Sequence, residues 1–296
     1  MSEPRRTPDW SAQLAHAVRR LREAGVDSPR ADAEQLAAHV LRLDRGSAMA
    51  AVLRGDYPTG DEAEAFEALV ARRVQRIPLQ HLTGTAAFFG LDLAVGPGVF
   101  IPRPETEVLV SRGLAVLEGS TAGGDVVVVD LCTGSGAIAA AVAHTLRERP
   151  GGARLYAVER DDTAVACARP NLERYGVYVI HGDARTALTE LAGIVDLVLC
   201  NPPYVPEGQI PRQAEARHDP QLALYGGDAT GMALPLELAA HAARLLRPGG
   251  WLIMEHDESH AEGLRAEVAG QGGWSDIETV PDLTGRPRFV QAQRRE

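Results

Sequence analysis

An open, doubly wound α/β sheet preceded by a small helical bundle is the fold that this sequence predicts, on three observations. Short runs rich in Val, Leu and Ile, such as Val126-Val127-Val128-Val129 and Val195-Asp196-Leu197-Val198-Leu199, stop abruptly at polar residues, glycine or proline. Strands of a parallel sheet, buried on both faces, read this way. From about residue 126 onward such runs alternate with helical stretches, which makes consecutive strands parallel. The first 80 or so residues carry apolar positions at helical spacing instead.

In chain order, residues 1–78 read as the bundle. Leu14, Val18 and Leu21 share one helical face, and Ser28-Pro29 opens a second helix carrying Leu36, Val40 and Leu43. A third begins at Asp61, aligns Phe66, Leu69, Val70, Val74 and Ile77, and ends at Pro78. Residues 79–103 form a link in which 85–95, alternating around Gly90, predict a β-hairpin. The sheet domain spans 104–296. Helix 105–117 leads through a glycine-rich break at 119–124 into strand 126–130. Strands follow at 154–158, 177–180 and 194–200, and the last two, at 277–280 and 288–293, fold back antiparallel around Gly285. No internal repeat is visible, and low complexity is confined to the first eight residues.

Composition narrows the function classes. A chain of 296 residues, 45% hydrophobic and 24% charged, buries a full core and exceeds the usual single-domain length. No run approaches a membrane span, and Met1-Ser2-Glu3-Pro4-Arg5-Arg6 has no secretory apolar core, so a cytoplasmic protein is expected. The three cysteines, Cys132, Cys167 and Cys200, are odd in number and lack C-x-x-C spacing; disulfides and metal ligation are disfavoured, and small buried residues are expected. A net charge of -10 argues against general or sequence-specific nucleic-acid binding.

The chemistry lies where strands end. After strand 126–130 the segment Asp130-Leu131-Cys132-Thr133-Gly134-Ser135-Gly136 turns into a helix, and its glycines let backbone approach a ligand. The next strand ends in Glu159, where a carboxylate can accept from both ribose hydroxyls. Asp183 follows the third, placed for an adenine amine. Gly134, Gly136 and Ala139 also satisfy the loose dinucleotide pattern G-x-G-x-x-A. No hydride-transfer constellation follows it, so S-adenosyl-L-methionine, whose amino acid end Asp130 and the turn amides can meet, is the better fit.

Asn201-Pro202-Pro203-Tyr204 closes the strand at 194–200. Proline pairs also simply terminate strands. Read as chemistry, the tetrapeptide suits a planar nitrogen, which is a weak nucleophile because its lone pair is delocalised. The Asn201 side-chain oxygen and the Pro202 carbonyl could accept its two N–H groups, proline keeps the turn stiff, and Tyr204 packs over the reacting group. No catalytic base is required, and His81 and His256, unsupported by any ligand spacing, read as structural.

These residues resemble the HemK/PrmC protein-(glutamine-N5) methyltransferases, which modify peptide chain release factors. The likeness runs nearly end to end: Gln80-His81-Leu82-Thr83-Gly84, Phe88-Phe89-Gly90-Leu91, Ile101-Pro102-Arg103-Pro104-Glu105-Thr106-Glu107, the glycine turn, Asn201 to Tyr204, and Asp282-Leu283-Thr284-Gly285-Arg286-Pro287-Arg288-Phe289-Val290. The segment from Ile101 to Glu107 is the specific part, since Asn-Pro-Pro-Tyr also occurs in DNA adenine methyltransferases. The resemblance implies a seven-stranded, Rossmann-like class I methyltransferase sheet. It implies that Asp130, Cys132, Thr133, Gly134, Ser135, Gly136, Glu159, Asp183, Ala184 and Asn201 hold S-adenosyl-L-methionine. Asn201, Pro202, Pro203 and Tyr204 would hold the glutamine amide beside Phe100, with Asn201, Pro202 and Tyr204 catalytic. The bundle would help recognise the release factor.

Three positions depart from the family. Cys132 stands where glycine is common, Asp257-Glu258-Ser259-His260 replaces a Gly and Gln after Glu255-His256, and Asp228-Ala229-Thr230-Gly231-Met232 is spaced one residue differently from the usual Asp-Gly-Leu. The expectation is an enzyme methylating the N5 amide of the glutamine in a release factor's Gly-Gly-Gln loop. The alternatives are a DNA adenine-N6 or other nucleic-acid amino-methyltransferase, and a cofactor-binding module without turnover.

Overall fold

The computed structural model describes residues 8–118, 125–148, 151–209 and 214–296. The glycine-rich break at 119–124 and the first seven residues lie outside them. The chain divides into two compact units, Met1–Thr85 with Arg212–His218, and Ala86–Pro211 with Asp219–Glu296.

The first unit is helical: α1 (Trp10–Glu23), α2 (Pro29–Leu41), α3 (Arg45–Arg54), α4 (Gly60–Val74) and α5 (Leu79–Thr83). Local sequence sets the ends. Asp9 and Asp44 accept from backbone amides of their first turns, and Thr59 with Glu62 forms a reciprocal capping box on α4. Ser28 makes no side-chain cap, and Pro29 opens α2 by its fixed φ alone. The core gathers Trp10, Leu14, Leu21, Leu36, Phe66 and Val70, with Trp10 edge-on to Phe66 at 5.4 Å. Sequence pattern gave three helices here. Helix α3 escapes it because it buries only Ala48 and Ala51, too small to print a periodicity. Pro78 ends no helix; it caps α5, whose Leu79 and Leu82 join this core, so the unit extends past residue 78. Within the same unit, buried Arg73 pairs with Asp32 at 2.7 Å and with Glu215 at 2.8 Å, and Arg76 binds both Glu215 oxygens at 2.8 Å. Burial pushes the Glu215 carboxyl up, but hydrogen bonds from Arg76 and Arg73 outweigh it and hold it at about 2.

The second unit opens with the expected hairpin, β1 (Thr85–Phe88) and β2 (Leu91–Ala94), turning at Phe89 and Gly90, both at positive φ. After α6 (Thr106–Glu118) the chain alternates β3 (Val126–Leu131), α7 (Ala137–Leu146), β4 (Ala153–Glu159), α8 (Asp162–Glu173), β5 (Tyr178–His181), β6 (Val195–Cys200), α9 (Ala233–Leu245), β7 (Leu246–Glu255), α10 (Ala261–Gly270), β8 (Trp274–Pro281) and β9 (Pro287–Arg294). These strands form one seven-stranded sheet in the order β5-β4-β3-β6-β7-β9-β8. Pairings from β5 through β7 are parallel, and β9 pairs antiparallel with both β7 and β8. Alternate residues feed two cores: Val126 and Val128 pack with α6, α7 and α8, while Val127 and Val129 pack with α9 and α10. All six residues of β3 and all six of β6 are buried.

The strand order fixes where a ligand can enter. From β3 the chain winds outward through β4 to β5, then returns to lay β6 on the other side of β3. Helices leave those two strands toward opposite faces, which opens a crevice at their carboxyl ends. The turn after Leu131 and the Asn-Pro-Pro-Tyr segment after Cys200 both stand there, since Leu131 and Cys200 are paired across the sheet.

Candidate active site

The turn after β3 is wound in the left-handed region at Cys132 (φ 62°), Gly134 (φ 56°) and Gly136 (φ 87°). At Gly136 a Cβ would sit 2.9 Å from Leu172 Cγ, so the residue must be glycine for α7 and α8 to pack. At Gly134 nothing lies within 4 Å of that position, and the bare backbone borders open space. Asp130 holds the turn from beneath: its Oδ2 accepts from the Thr133 hydroxyl and from the Ala139 amide at 3.2 Å. Burial drives its carboxyl up to about 7 despite those two bonds.

Glu159, at the end of β4, is held by backbone. Its Oε2 accepts from the Gly134 amide at 2.9 Å, and its Oε1 accepts from Arg160 at 2.8 Å and Asp161 at 2.9 Å. Two strand ends are thereby tied together with no rotamer freedom left in the carboxylate. Asp183, beyond β5, is ion-paired to Arg185 at 2.6 Å. That hydrogen bond holds its carboxyl at about 2, so it is an acceptor at any physiological pH.

Beyond β6, Asn201 is half-buried and Pro202 and Pro203 are buried. Asn201 Nδ2 donates to Thr106 Oγ1 at 3.3 Å. The Tyr204 hydroxyl donates to Glu255 Oε1 at 3.0 Å, and Thr106 Oγ1 donates to Glu255 Oε2 at 2.7 Å. Burial and the neighbouring Glu255 charge push the Tyr204 phenol far above its usual range, so it stays a neutral donor. The Phe100 ring lies 5.0 Å from the Arg103 guanidinium, which is ion-paired to Asp219.

One cavity collects nearly all of these groups. Phe100, Cys132, Thr133, Gly134, Ser135, Glu159, Asp183, Ala184, Asn201, Pro202, Pro203 and Tyr204 line it, in a space of about 1160 Å³ counted to its open mouth. Asp130 and Gly136 do not line it; they shape the turn from below. Open space above Gly134, fixed carboxylates at the ends of β4 and β5, and apolar Ile138, Val158 and Leu224 suit a hydroxylated, partly apolar nucleoside.

Some expectations change. Only Cys200 is buried; Cys132 and Cys167 are half-exposed, and all three are free thiols. His81 and His256 are buried and do not line the cavity. No group of metal-ligating side chains occurs among the described residues. The respaced loop also reaches the site, for a Cβ on Gly231 would stand 2.2 Å from the Tyr204 carbonyl oxygen. Thr106 and Glu255 are the functional candidates that sequence reading passed over. Thr106 lay in the most specific segment, but only the fold brings it to Glu255, 149 residues away.

Comparison with known proteins agrees with this architecture. Residues 12–84 match the PrmC N-terminal domain, and 110–217 match the methyltransferase small domain. A release factor glutamine methyltransferase of Mycolicibacterium smegmatis is 48% identical over 94% of this chain and 95% of its own. A 4-amino-L-phenylalanine/4-methylamino-L-phenylalanine methyltransferase of Streptomyces pristinaespiralis is 37% identical over 93% of this chain and 92% of its own. Among solved structures, the catalytic domain of hMettl16, crystallised with an RNA hairpin, superposes with a TM-score of 0.54 at 16% identity, covering 77% of this chain and 81% of that one. This last likeness concerns the fold alone. With relatives this similar along almost the whole chain, the protein belongs to the release factor glutamine methyltransferase family.

Proposed function

We propose that this chain uses S-adenosyl-L-methionine to methylate the side-chain amide nitrogen, N5, of the glutamine in the Gly-Gly-Gln loop of peptide chain release factors. The observation that carries the reading is the meeting of Asn201 to Tyr204 with the Glu159- and Asp183-bordered cleft at one switch point, in a chain 48% identical to a release factor glutamine methyltransferase. When bound, the cofactor supplies an electrophilic methyl group on a sulfonium. The chain's own residues do the rest. Glu159 accepts from the ribose and Asp183 with Ala184 borders the base, while the turn from Cys132 to Gly136 faces the amino acid end.

Asn201 Oδ1 and the Pro202 carbonyl each accept one N–H of the glutamine amide. Holding both hydrogens favours the pyramidal nitrogen from which attack proceeds. The Phe100 and Tyr204 rings pack along the glutamine side chain and keep water away. Once methylated, the amide nitrogen is cationic and strongly acidic, and its proton leaves to solvent without a base. Catalysis is therefore mainly alignment. Two glycines keep the substrate backbone slim enough to enter, and the helical unit supplies remote contacts that orient the loop, so a Gly-Gly-Gln peptide reacts more slowly than the intact factor.

A second reading rests on one relative: the Streptomyces pristinaespiralis protein is named for an aromatic amine of a free amino acid. Such an amine is likewise a planar nitrogen with a delocalised lone pair and two hydrogens. The deciding assay supplies labelled S-adenosylmethionine with intact release factor, its Gln→Asn variant, 4-amino-L-phenylalanine or unmethylated DNA, and maps the product by mass spectrometry. The first reading expects methylation of the intact factor alone, at glutamine. Transfer to the free amino acid and none to the factor selects the second, and transfer to adenine overturns both.

A further inference from the structure

We propose that Thr106 and Glu255 are positioning residues that fix the Asn201 amide end for end, so that its oxygen and not its NH₂ faces the acceptor nitrogen. The proposal rests on the reading of Asn201 as an acceptor. An asparagine side chain is almost the same shape either way round, yet only one orientation can accept from a substrate N–H. Left to itself, the amide would sample both.

The structure breaks that symmetry through a one-way chain of hydrogen bonds. Glu255, 2% exposed at the carboxyl end of β7, is an acceptor when ionised. Thr106, 3% exposed on the first turn of α6, has one hydroxyl proton and donates it to Glu255 Oε2 at 2.7 Å. This is the shorter of the two contacts the hydroxyl makes, 2.7 Å against 3.3 Å to Asn201, so the proton lies on the Glu255 side. With its proton so placed, Thr106 Oγ1 offers Asn201 only lone pairs. The asparagine meets them with Nδ2, at 3.3 Å. Turning the amide over would set two oxygens against each other in a buried place and leave a donor aimed at the substrate. Glu255 is fixed in turn by Tyr204, whose hydroxyl occupies Oε1 at 3.0 Å. The same carboxylate therefore orders both the first and the last residue of the Asn-Pro-Pro-Tyr segment, while Cys200 and Met254, paired between β6 and β7, hold the strands that carry them side by side.

The test compares Thr106→Val, which keeps the shape and removes both proton and lone pairs, with Thr106→Ser, which restores them, and with Asn201→Ala. For each full-length variant one measures kcat and KM with intact release factor, affinity for S-adenosylhomocysteine by calorimetry, and the thermal midpoint. Thr106→Val is expected to lower kcat about 10- to 100-fold, as loss of one oriented acceptor does, with KM and S-adenosylhomocysteine affinity within about threefold of the parent. Thr106→Ser is expected to recover to within about threefold. A Thr106→Val enzyme of near-parental kcat beside a crippled Asn201→Ala overturns the proposal and leaves the Asn201 reading standing. Near-parental turnover in Asn201→Ala overturns both. Equal damage in Thr106→Ser and Thr106→Val, or parallel loss of cofactor affinity and thermal midpoint, assigns Thr106 a packing role and also overturns it.

Discussion

Replacing Cys132 by glycine and by alanine separates backbone strain from side-chain packing at the one position where the cofactor turn departs from its family. Cys132 holds φ 62°, a conformation in which a side chain crowds its own carbonyl at a cost of about 1–2 kcal/mol. Glycine escapes that cost but returns about 0.5–1 kcal/mol through greater freedom of the unfolded chain. Either substitution removes the thiol, which lies against that of Cys200. Subtracting like from like, Cys132→Gly should be more stable than Cys132→Ala by roughly 0.5–1 kcal/mol, the reverse of their order in ordinary helix or strand. In a unit of this size that is a midpoint difference of about 1–3 °C, readable by calorimetry, with denaturant titration as a second measure. Methyl transfer should stay close to parental in Cys132→Gly, since no thiol chemistry is assigned. An alanine variant as stable as the glycine variant, or more so, would refute the reasoning from strain.

Asn201→Ala should lower turnover by about two orders of magnitude while keeping affinity for S-adenosylhomocysteine, and Glu159→Ala should do the reverse; calorimetry beside single-turnover rates distinguishes them. Equal loss of affinity in both would remove the division of roles. Gly231→Ala should slow methylation at least tenfold with the fold intact, because its Cβ would stand 2.2 Å from the Tyr204 carbonyl oxygen and 2.9 Å from the Pro206 nitrogen; circular dichroism and initial rates check it. Asp130 carries a pH signature. Its folded pKa of about 7 exceeds the usual unfolded value near 3.9, so the folded state binds more protons, and this group's contribution falls as pH rises from about 4 through 7. Asp130→Asn, with its amide oxygen still an acceptor, should gain stability relative to the parent as pH rises across that window. Denaturation midpoints of both proteins without cofactor from pH 5 to 8.5 test the sign, and a constant difference refutes it.

Much of the fold was legible because its signals are local. Strands buried on both faces print continuous apolar runs, as Val126 to Val129 do, and a turn such as Phe89-Gly90 announces itself by its glycine. The glycine turn and Asn201 could be set at the carboxyl ends of parallel strands from alternation, whereas the adjacency of β3 and β6 emerges only in the assembled sheet. Helix α3 was not legible, since alanines carry little pattern, and neither was α5, since a proline that caps one helix looks like one that ends another. At the site, Glu255 was hidden for a different reason. A buried acid at a strand end has no local mark, and its pairing with Thr106 and Tyr204 exists only once β6, β7 and α6 have assembled. The strain at Cys132 was equally invisible, because no residue pattern reports a dihedral angle.

The ion pairs of Glu215 with Arg73 and Arg76 bear on how this protein can be rearranged. Because Arg212–His218 is counted with Met1–Thr85, the helical unit is built from two stretches of chain that are far apart in the gene. Exchanging only its N-terminal stretch with a chain that lacks these charges would leave Arg73 to Asp32 and Arg76 to the Ala24 and Gly25 carbonyls in one chimera, and Glu215 without either arginine in the other. A transplant that carries both stretches keeps the triad whole, and co-inheritance of these charges is what a survey of chimeras would select.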